Sequence, residues 1–351
     1  MAGLRVVVGS YSVPSEWTGT PYGHGGGIVA GVLAGDSLLM DPAGLGETNP
    51  SFVVADREAR LLWAITEPEK GGELLAFPVD ERGVVNGAPD RVVTARDAPC
   101  HLTVAPQAAL VSHYHGGAVS IIGRAPDGRP SRLLAIVEPP ASGSGWDRSG
   151  ERSRPHSTLW LPGTRSTFLV ADCGRDTLLL YRWRAETAAA ELLDVLVLPA
   201  GTGPRHLAWH AATSQVLVSA QNTGAVAAVA LDADRLSLRQ LLTTSGSGRA
   251  RVVPSEIAVH PAGRLAIMAN RWDDSLTVFA IDARGTLAEL ASIDAGGVNP
   301  RHFAITPDGA RVLVAHQESD EIAVFEFVGD ALRLRSRTAV ATPSCIAFWA
   351  E

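Results

Sequence analysis

The sequence predicts an all-β protein, a seven-bladed β-propeller whose blades are four-stranded antiparallel sheets. Two observations lead to this fold class. One phrase, a proline followed by two variable residues and an alternating apolar run, occurs seven times at nearly even spacing. Glycine (35 residues) and proline (22 residues) separate short apolar runs, which is typical of many short strands joined by turns. No stretch keeps a helical period.

The repeated phrase marks the first strand of each predicted blade. Successive prolines lie 43 to 56 residues apart, which matches the period of a propeller blade. The seven phrases read PSFV (50–53), PCHL (99–102), PHST (155–158), PRHL (204–207), PSEI (254–257), PRHF (300–303) and PSCI (343–346). Two β-sandwiches are the alternative, but sandwiches do not require seven equal repeats.

Each copy reads as a meander of four strands. In the sixth copy the predicted strands are 300–306, 311–315, 321–327 and 331–338. Pro307-Asp308-Gly309 forms the first turn, where the glycine provides the backbone freedom that a tight turn needs. The same kind of turn recurs at 261–263.

The two ends of the chain predict how the ring closes. The seventh copy, 342–351, contains only a first strand, whereas 4–10 reads as a second strand followed by two more at 27–33 and 37–41. Pairing the C-terminal strand with the N-terminal strands completes a seventh blade and leaves no free edge there. We therefore expect a single propeller domain over residues 1–351.

Composition and charge exclude several classes of protein. The formal net charge of −7 disfavours a nucleic-acid partner, and no apolar run is long enough to span a membrane. The first residues lack the pattern of a signal peptide, and three widely spaced cysteines do not suggest a disulfide framework. We expect a cytoplasmic monomer with no cofactor and no metal, whose partner is a small molecule.

Polar side chains concentrate at one end of the predicted blades. The first and second strands of a meander are antiparallel, so the start of each first strand and the end of each second strand meet at one mouth of the central channel. The residues expected there after the prolines are His101, His156, Arg205, His206, Glu256, Arg301 and His302. Those expected after the second strands are Glu67, His113, Tyr114, His115, Asp172, Gln221, Asn222, Asn270, Arg271, His316 and Gln317. Seven of the ten histidines belong to this set, whereas His210 and His260 belong to the opposite turns.

The convergence of arginines predicts an anionic ligand. Arg205, Arg271 and Arg301 would enter a water-depleted channel, where unpaired cations are costly unless they bind an anion such as a carboxylate or phosphate. Two other interpretations stay open at this stage. Single histidines can bond a neighbouring blade's backbone, and histidines such as His113 and His115 could bind a metal, although no further ligand spacing supports one.

Four phrases carry a family resemblance. RPHST (154–158), GPRHLAW (203–209), PSEIAVHPAGRLAIMANR (254–271) and NPRHFAITPDGARVLVAHQ (299–317) resemble the bacterial lactonase family of seven-bladed propellers. This family includes the propeller-type 6-phosphogluconolactonase and the fungal carboxymuconate lactonizing enzyme. The resemblance covers nearly the whole chain and implies an enzyme that acts on a lactone.

The resemblance also implies a set of site residues. His156, Arg205 and Arg271 match the family's proposed catalytic histidine and arginines, but its glutamate position is occupied by Gln221, whose amide cannot exchange a proton as a carboxylate does. Glu256 and His156 remain as possible acid or base groups. Substrate-binding candidates are His101, His206, Arg301, His302, His316 and Tyr114.

The sequence leaves three functions open. Hydrolysis of a small anionic lactone would use His156 as base and Arg205 and Arg271 around the oxyanion. The same groups could close a ring as a cyclase or isomerase, or the protein could only bind a ligand or protein partner. A long Gly- and Ser-rich insertion at 138–154, with Trp146, suggests a lid over the site.

Overall fold

The computed structural model describes residues 3–16, 21–140, 152–164 and 166–349. Within these ranges, 28 strands form seven four-stranded antiparallel sheets, which confirms the predicted seven-bladed propeller. The described part of the chain also contains a short 3-10 turn, Ala211–Thr213, and no helix long and apolar enough to cross a membrane. Most of the insertion predicted as a lid, including Trp146, lies outside the described residues.

The strands follow the repeat that the prolines mark, and the blades are numbered here by those prolines. Blade 7 contains β1 (Leu4–Ser10), β2 (Ile28–Ala34), β3 (Ser37–Met40) and, from the other end of the chain, β28 (Pro343–Trp349). Blade 1 contains β4 (Phe52–Asp56), β5 (Leu61–Ile65), β6 (Glu73–Pro78) and β7 (Asp90–Val93). Blade 2 contains β8 (Pro99–Val104), β9 (Ala108–His113), β10 (Ala118–Arg124) and β11 (Pro130–Val137). Blade 3 contains β12 (Pro155–Trp160), β13 (Thr167–Asp172), β14 (Thr177–Arg184) and β15 (Ala189–Val197).

The remaining three blades repeat the same order. Blade 4 contains β16 (Pro204–His210), β17 (Gln215–Ala220), β18 (Ala225–Asp232) and β19 (Arg235–Thr243). Blade 5 contains β20 (Val253–Val259), β21 (Leu265–Arg271), β22 (Ser275–Ile281) and β23 (Leu287–Asp294). Blade 6 contains β24 (Pro300–Ile305), β25 (Arg311–His316), β26 (Glu321–Val328) and β27 (Ala331–Ala339).

The ring closes as the sequence predicts. β28 pairs antiparallel with β1, in a register that runs from Arg5 opposite Trp349 to Ser10 opposite Pro343. The innermost strands of neighbouring blades, β4, β8, β12, β16, β20, β24 and β28, contact one another around the whole circle. The first strand of every blade therefore lines the central channel.

The hydrophobic core lies between the blades. Seven clusters of buried side chains each join two neighbouring sheets, one at every blade interface. Between blades 5 and 6, for example, Ile267 and Leu276 pack against Phe303 and Phe325. Full burial of each such side chain stabilises the fold by about 1.5 to 3 kcal/mol, so the rigid interfaces hold the inner strands in place.

A bulge follows the proline in six of the inner strands. The register of pairing with the second strand shifts just after Pro99, Pro155, Pro204, Pro254, Pro300 and Pro343. Extra residues at a bulge leave the ladder and re-aim their side chains. The residues placed in these bulges are Cys100, His156, Arg205, His206, Ser255, Glu256, Arg301 and Ser344.

A repeated aspartate fixes the segment that leads into three of these prolines. Each of these aspartates adopts a positive φ of about 50° and accepts a backbone N–H with Oδ1. The pairs are Asp176 with Gly203 (2.6 Å), Asp274 with Asn299 (2.7 Å) and Asp320 with Thr342 (2.8 Å). These hydrogen bonds fix the chain where β16, β24 and β28 begin. They therefore also fix the position along the channel axis of the bulge in each of these strands.

Two histidines at the opposite turns have a structural role. His210 Nε2 lies 2.9 Å from the carbonyl oxygen of Gly263, and His260 Nε2 lies 2.9 Å from that of Gly309. Each histidine therefore joins the turn of its own blade to the turn of the next. Their separation from the other histidines agrees with the prediction from sequence.

Candidate active site

A cavity of about 330 Å³ opens at the predicted mouth of the channel. Its lining residues come from loops and strand ends of several blades, together with the loop after β1. They are Glu16, Glu67, Cys100, Tyr114, His115, His156, Gln221, Asn222, Arg251, Val253, Arg271, Trp272 and Arg301. Of the residues predicted for the site, the cavity brings together His156, Gln221, Arg271, Arg301 and Tyr114.

A narrow void of about 10 Å³ shares Cys100 and Arg301 with this cavity. The other residues that line it are Tyr11, Ser51, Phe52, Arg205, His206, His302 and Ser344. Arg205 and two of the predicted substrate-binding histidines therefore lie deeper in the channel than the residues around the mouth.

A difference of one residue in register decides which side chains reach the cavity. The residues paired with the blade prolines are fully buried inside the blades, namely Ser10, His113, Asp172, Ala220, Asn270 and His316. The next residue along the chain lines the cavity in three blades, as Tyr114, Gln221 and Arg271. His316 belongs to the first group, so the described structure does not bring this predicted substrate-binding residue to either cavity.

Arg271 and Arg301 line the cavity and Arg205 lies beneath it, and none of the three forms an ion pair with a carboxylate within the described ranges. Nε and Nη1 of Arg205 and Nε of Arg271 are buried and have no hydrogen-bond partner among the described residues. Burial lowers the pKa of Arg205 to about 10, and the pKa of Arg271 is also lowered, first by burial and then by the charges of Arg205 and Arg301. Cations held so close together in a desolvated site favour the binding of an anion.

Gln221 orients Arg271. The amide Oε1 of Gln221 accepts a hydrogen bond of 2.7 Å from Nη2 of Arg271. A glutamate at this position would form an ion pair, whereas the neutral amide fixes the guanidinium without cancelling its charge. The substitution seen in the sequence therefore leaves the cavity more positive by one unit.

His156 lies in the wall as a neutral ring. Its side chain is buried, its ring centroid lies 5.4 Å from that of Tyr114, and Nδ1 has no partner in the described structure. Burial lowers the pKa of His156 well below its ordinary value, and the charges of Arg205, Arg301 and Arg271 lower it further. Protonation of His156 would add another cation to this cluster, which makes it a weak proton acceptor.

Glu256 forms a separate cluster beneath the mouth. Its Oε2 lies 2.8 Å from Nδ1 of His206 and 3.1 Å from Nε2 of His302. The ring of His101 lies 5.2 Å from that of His206 and 4.4 Å from that of Phe52. Glu256 and His101 do not belong to the described lining of either cavity, so this cluster supports the floor of the site from below.

The lining of the cavity contains an exposed carboxylate, Glu16, and a buried one, Glu67. The sequence analysis predicted Glu67 at the mouth but did not include it among the site residues. Glu67 is 4% exposed, and its Oε2 accepts a hydrogen bond of 3.1 Å from the hydroxyl of Tyr11. Its position after a second strand was the available signal. The pairing with Tyr11 was hidden because that residue belongs to an irregular loop after β1.

The described residues support neither catalysis by a cysteine nucleophile nor the binding of a metal ion. The thiol of Cys100 lies 3.4 Å from the carbonyl oxygen of His156 and burial raises its pKa, so it stays a protonated donor rather than a nucleophile. Across the described part of the chain, no three His, Cys, Asp or Glu side chains are arranged to hold a metal ion.

Fold and site together define a seven-bladed β-propeller with an arginine-lined cleft at one mouth of its channel. The family described as "Lactonase, 7-bladed beta-propeller" matches residues 5–348. The chain therefore belongs to the lactonase family of seven-bladed propellers, as the sequence phrases indicated.

Relatives and solved structures agree with this membership. The chain is 25% identical to a 6-phosphogluconolactonase of Bacillus subtilis (strain 168), over 86% of this chain and 87% of the relative. It is 24% identical to a 6-phosphogluconolactonase of Enterobacter sp. (strain 638), over 81% of this chain and 82% of that one. A periplasmic gluconolactonase of Pseudomonas aeruginosa superposes with a TM-score of 0.86 at 24% identity, over 99% of both chains, which shows a common fold.

Proposed function

We propose that this protein hydrolyses a small anionic lactone in the cavity at the mouth of the channel. The observation that carries the proposal is the set of buried guanidinium nitrogens on Arg205 and Arg271 that have no hydrogen-bond partner within the described ranges. Lactone hydrolysis develops a negative oxygen in the transition state, and donors already fixed in a water-depleted site stabilise that charge without reorganising. The names of the relatives favour hydrolysis over ring closure.

Several groups in and beneath the cavity have a role in this proposal. Arg271 in the cavity wall and Arg205 beneath it are assigned to the developing oxyanion, and Gln221 holds Arg271 in place. Arg301, whose guanidinium carbon lies 5.0 Å from the ring centroid of Tyr11, holds a remote phosphate or carboxylate of the substrate. The neutral ring of His156 forms hydrogen bonds to the substrate.

The rim of the cavity offers an apolar surface. Trp272 is 58% exposed, and the guanidinium carbon of Arg251 lies 5.7 Å from its ring centroid. A bulky residue at a φ of 66° is unusual, and such backbone conformations often occur at functional sites. We assign Trp272 to contact with the apolar face of a sugar ring, so that the proposed substrate is a phosphorylated sugar lactone of the kind named for the relatives.

The direct test compares 6-phosphogluconolactone with unphosphorylated gluconolactone. Proton release is followed with a pH indicator in weak buffer, and the spontaneous hydrolysis rate is subtracted. We expect turnover of both lactones, with a preference for the phosphorylated one that falls in Arg301→Met. Binding of the lactone without turnover above the spontaneous rate would instead identify a binding propeller and refute the proposal.

A further inference from the structure

The proposed hydrolysis needs a proton acceptor, and the family position for a carboxylate contains Gln221 instead. An amide cannot take a proton from water, and His156 is a weak acceptor among three arginines. The described cavity lining holds one other buried group with suitable chemistry, the carboxyl of Glu67. Glu67 lines the same cavity as His156, Arg271 and Arg301.

Glu67 is held firmly at this position. Its backbone N–H donates to the carbonyl oxygen of Asn49 (2.9 Å), and Oδ1 of Asn49 accepts from the backbone N–H groups of Ser12 and Val13 (2.8 and 2.9 Å). Asn49 thus joins the loop after β1 to the loop after β5. Tyr11 in that first loop is fully buried and donates to Oε2 of Glu67. This arrangement fixes both the backbone and the carboxyl group.

The surroundings of Glu67 make it a stronger base than an exposed carboxylate. Burial raises its pKa, while the charges of Arg301 and Arg205 and the hydrogen bond from Tyr11 lower it. The groups that face it are Tyr11 from the loop after β1, Cys100 from β8, Arg205 from β16 and Arg301 from β24. Burial raises the pKa of Tyr11, so its hydroxyl stays protonated and acts as a donor.

We propose that Glu67 is the general base of the reaction and that Tyr11 is its positioning residue, an inference that rests on the proposed lactone hydrolysis. Glu67 takes a proton from a water molecule as the water oxygen bonds to the carbonyl carbon. The tetrahedral oxyanion collapses, the bond from carbon to the ring oxygen breaks, and Glu67 returns the proton to that oxygen. The product is a hydroxy acid, which releases its own proton to solvent, so atoms and charges balance.

The decisive variant is Glu67→Gln, which keeps the shape and removes the proton acceptor. General-base catalysis contributes about a hundredfold to ten-thousandfold, so we expect a loss of kcat of that order with KM changed less than threefold. Binding of 6-phosphogluconate, measured by calorimetry, should persist because the arginines remain. Glu191→Gln is the matched control, because Glu191 is exposed on β15 in a pair with Arg184, and it should leave kcat unchanged.

Tyr11→Phe tests the positioning role through the pH profile. Its hydroxyl stabilises the ionised form of Glu67, so the acidic limb of kcat against pH should move to higher pH in this variant. A purely structural role would lower activity without moving the limb. If Glu67→Gln does not fold, Glu67→Asp tests the same position with a shorter carboxylate. This variant should retain an acidic limb in its profile of kcat against pH, displaced from that of the wild type.

The outcomes separate this inference from the proposed function. A wild-type protein that hydrolyses neither lactone refutes the proposed function itself. An active wild type with a Glu67→Gln variant within tenfold of it, and with the same pH profile, refutes only the role of Glu67. Loss of binding at unchanged kcat would assign Glu67 to substrate binding and would equally overturn its role as base.

Discussion

Replacement of Arg205 by methionine should change activity and stability in opposite directions. Arg205 is 2% exposed, and two of its guanidinium nitrogens are buried without a hydrogen-bond partner in the part of the chain that the structure describes. Methionine keeps the unbranched apolar stem of the side chain and removes its charged guanidinium group. The variant therefore isolates the effect of a buried cation that the fold does not neutralise.

The expected magnitudes follow from this environment. A buried charge costs several kcal/mol, and replacing buried ionic groups by apolar ones often stabilises a protein by about 1 to 4 kcal/mol. Loss of one donor to the oxyanion costs about 3 kcal/mol of transition-state stabilisation, on the order of a hundredfold in kcat. We expect Arg205→Met to unfold at higher urea concentration and to lose at least this much activity.

Arg124 supplies the matched control, because it is a buried arginine that the fold satisfies. It pairs with Asp56 at 2.6 Å and donates to the carbonyl oxygens of Ala105 and Gly128, both at 2.9 Å. Arg124→Met leaves Asp56 without its partner, which should cost about 3 to 5 kcal/mol of stability, while kcat stays near wild type. Urea unfolding followed by tryptophan fluorescence and the lactone assay measure both variants.

Equal behaviour of the two arginine variants would contradict the role of Arg205. A destabilised Arg205→Met variant that keeps its activity would show that Arg205 is a structural cation whose charge the fold neutralises. It would also remove the principal support for an anion site in the channel.

Three further predictions concern the rim, the amide and acid stability. Trp272→Ala should raise KM about fivefold to tenfold with little change in kcat, and an unchanged KM would exclude contact with the substrate. Gln221→Glu should neutralise Arg271 and lower kcat about tenfold, or by about 1.4 kcal/mol of transition-state stabilisation, whereas an unchanged kcat in steady-state kinetics would separate Arg271 from the oxyanion. Burial lowers the pKa of His113 and His316 to about 4, below the ordinary 6.5. Between about pH 4 and pH 6.5 the unfolded chain therefore binds more protons than the folded chain. The contribution of each neutral histidine to the free energy of unfolding is complete above about pH 6.5 and falls by up to about 3 kcal/mol toward pH 4. His316→Leu should flatten that slope in urea titrations at several pH values, and an equal slope would contradict the sign.

Much of the fold was predictable because its signals are local and repeated. Each proline phrase marks an inner strand, and the strands of the sixth copy, such as β24 and β25, end within one residue of their predicted limits. Closure through β1 and β28 followed from counting strands. Local sequence periodicity was sufficient because each blade is a meander, in which neighbouring strands are also neighbours in sequence.

The site was predictable only in part, because it depends on register and on loops. His316 and Arg271 both end a second strand. His316 is paired with the proline of its blade and is buried, whereas Arg271 follows the residue paired with the proline and reaches the cavity. The bulges in the inner strands determine which residue of the second strand is paired with the proline and which one faces the cavity. Glu67 was visible at the mouth, but its link to Tyr11 joins residues 56 positions apart through an irregular loop.

The bulge residues face the channel and do not take part in the strand pairing that holds each blade together. Cys100, His156, Arg205 and Arg301 occupy bulges outside the regular pairing of their blades. A substitution at such a position changes the chemistry of the channel without removing a paired position from the β-sheet. The scaffold can therefore acquire a new specificity one blade at a time, because the strand pairing of each blade does not involve the residue that its bulge presents to the ligand.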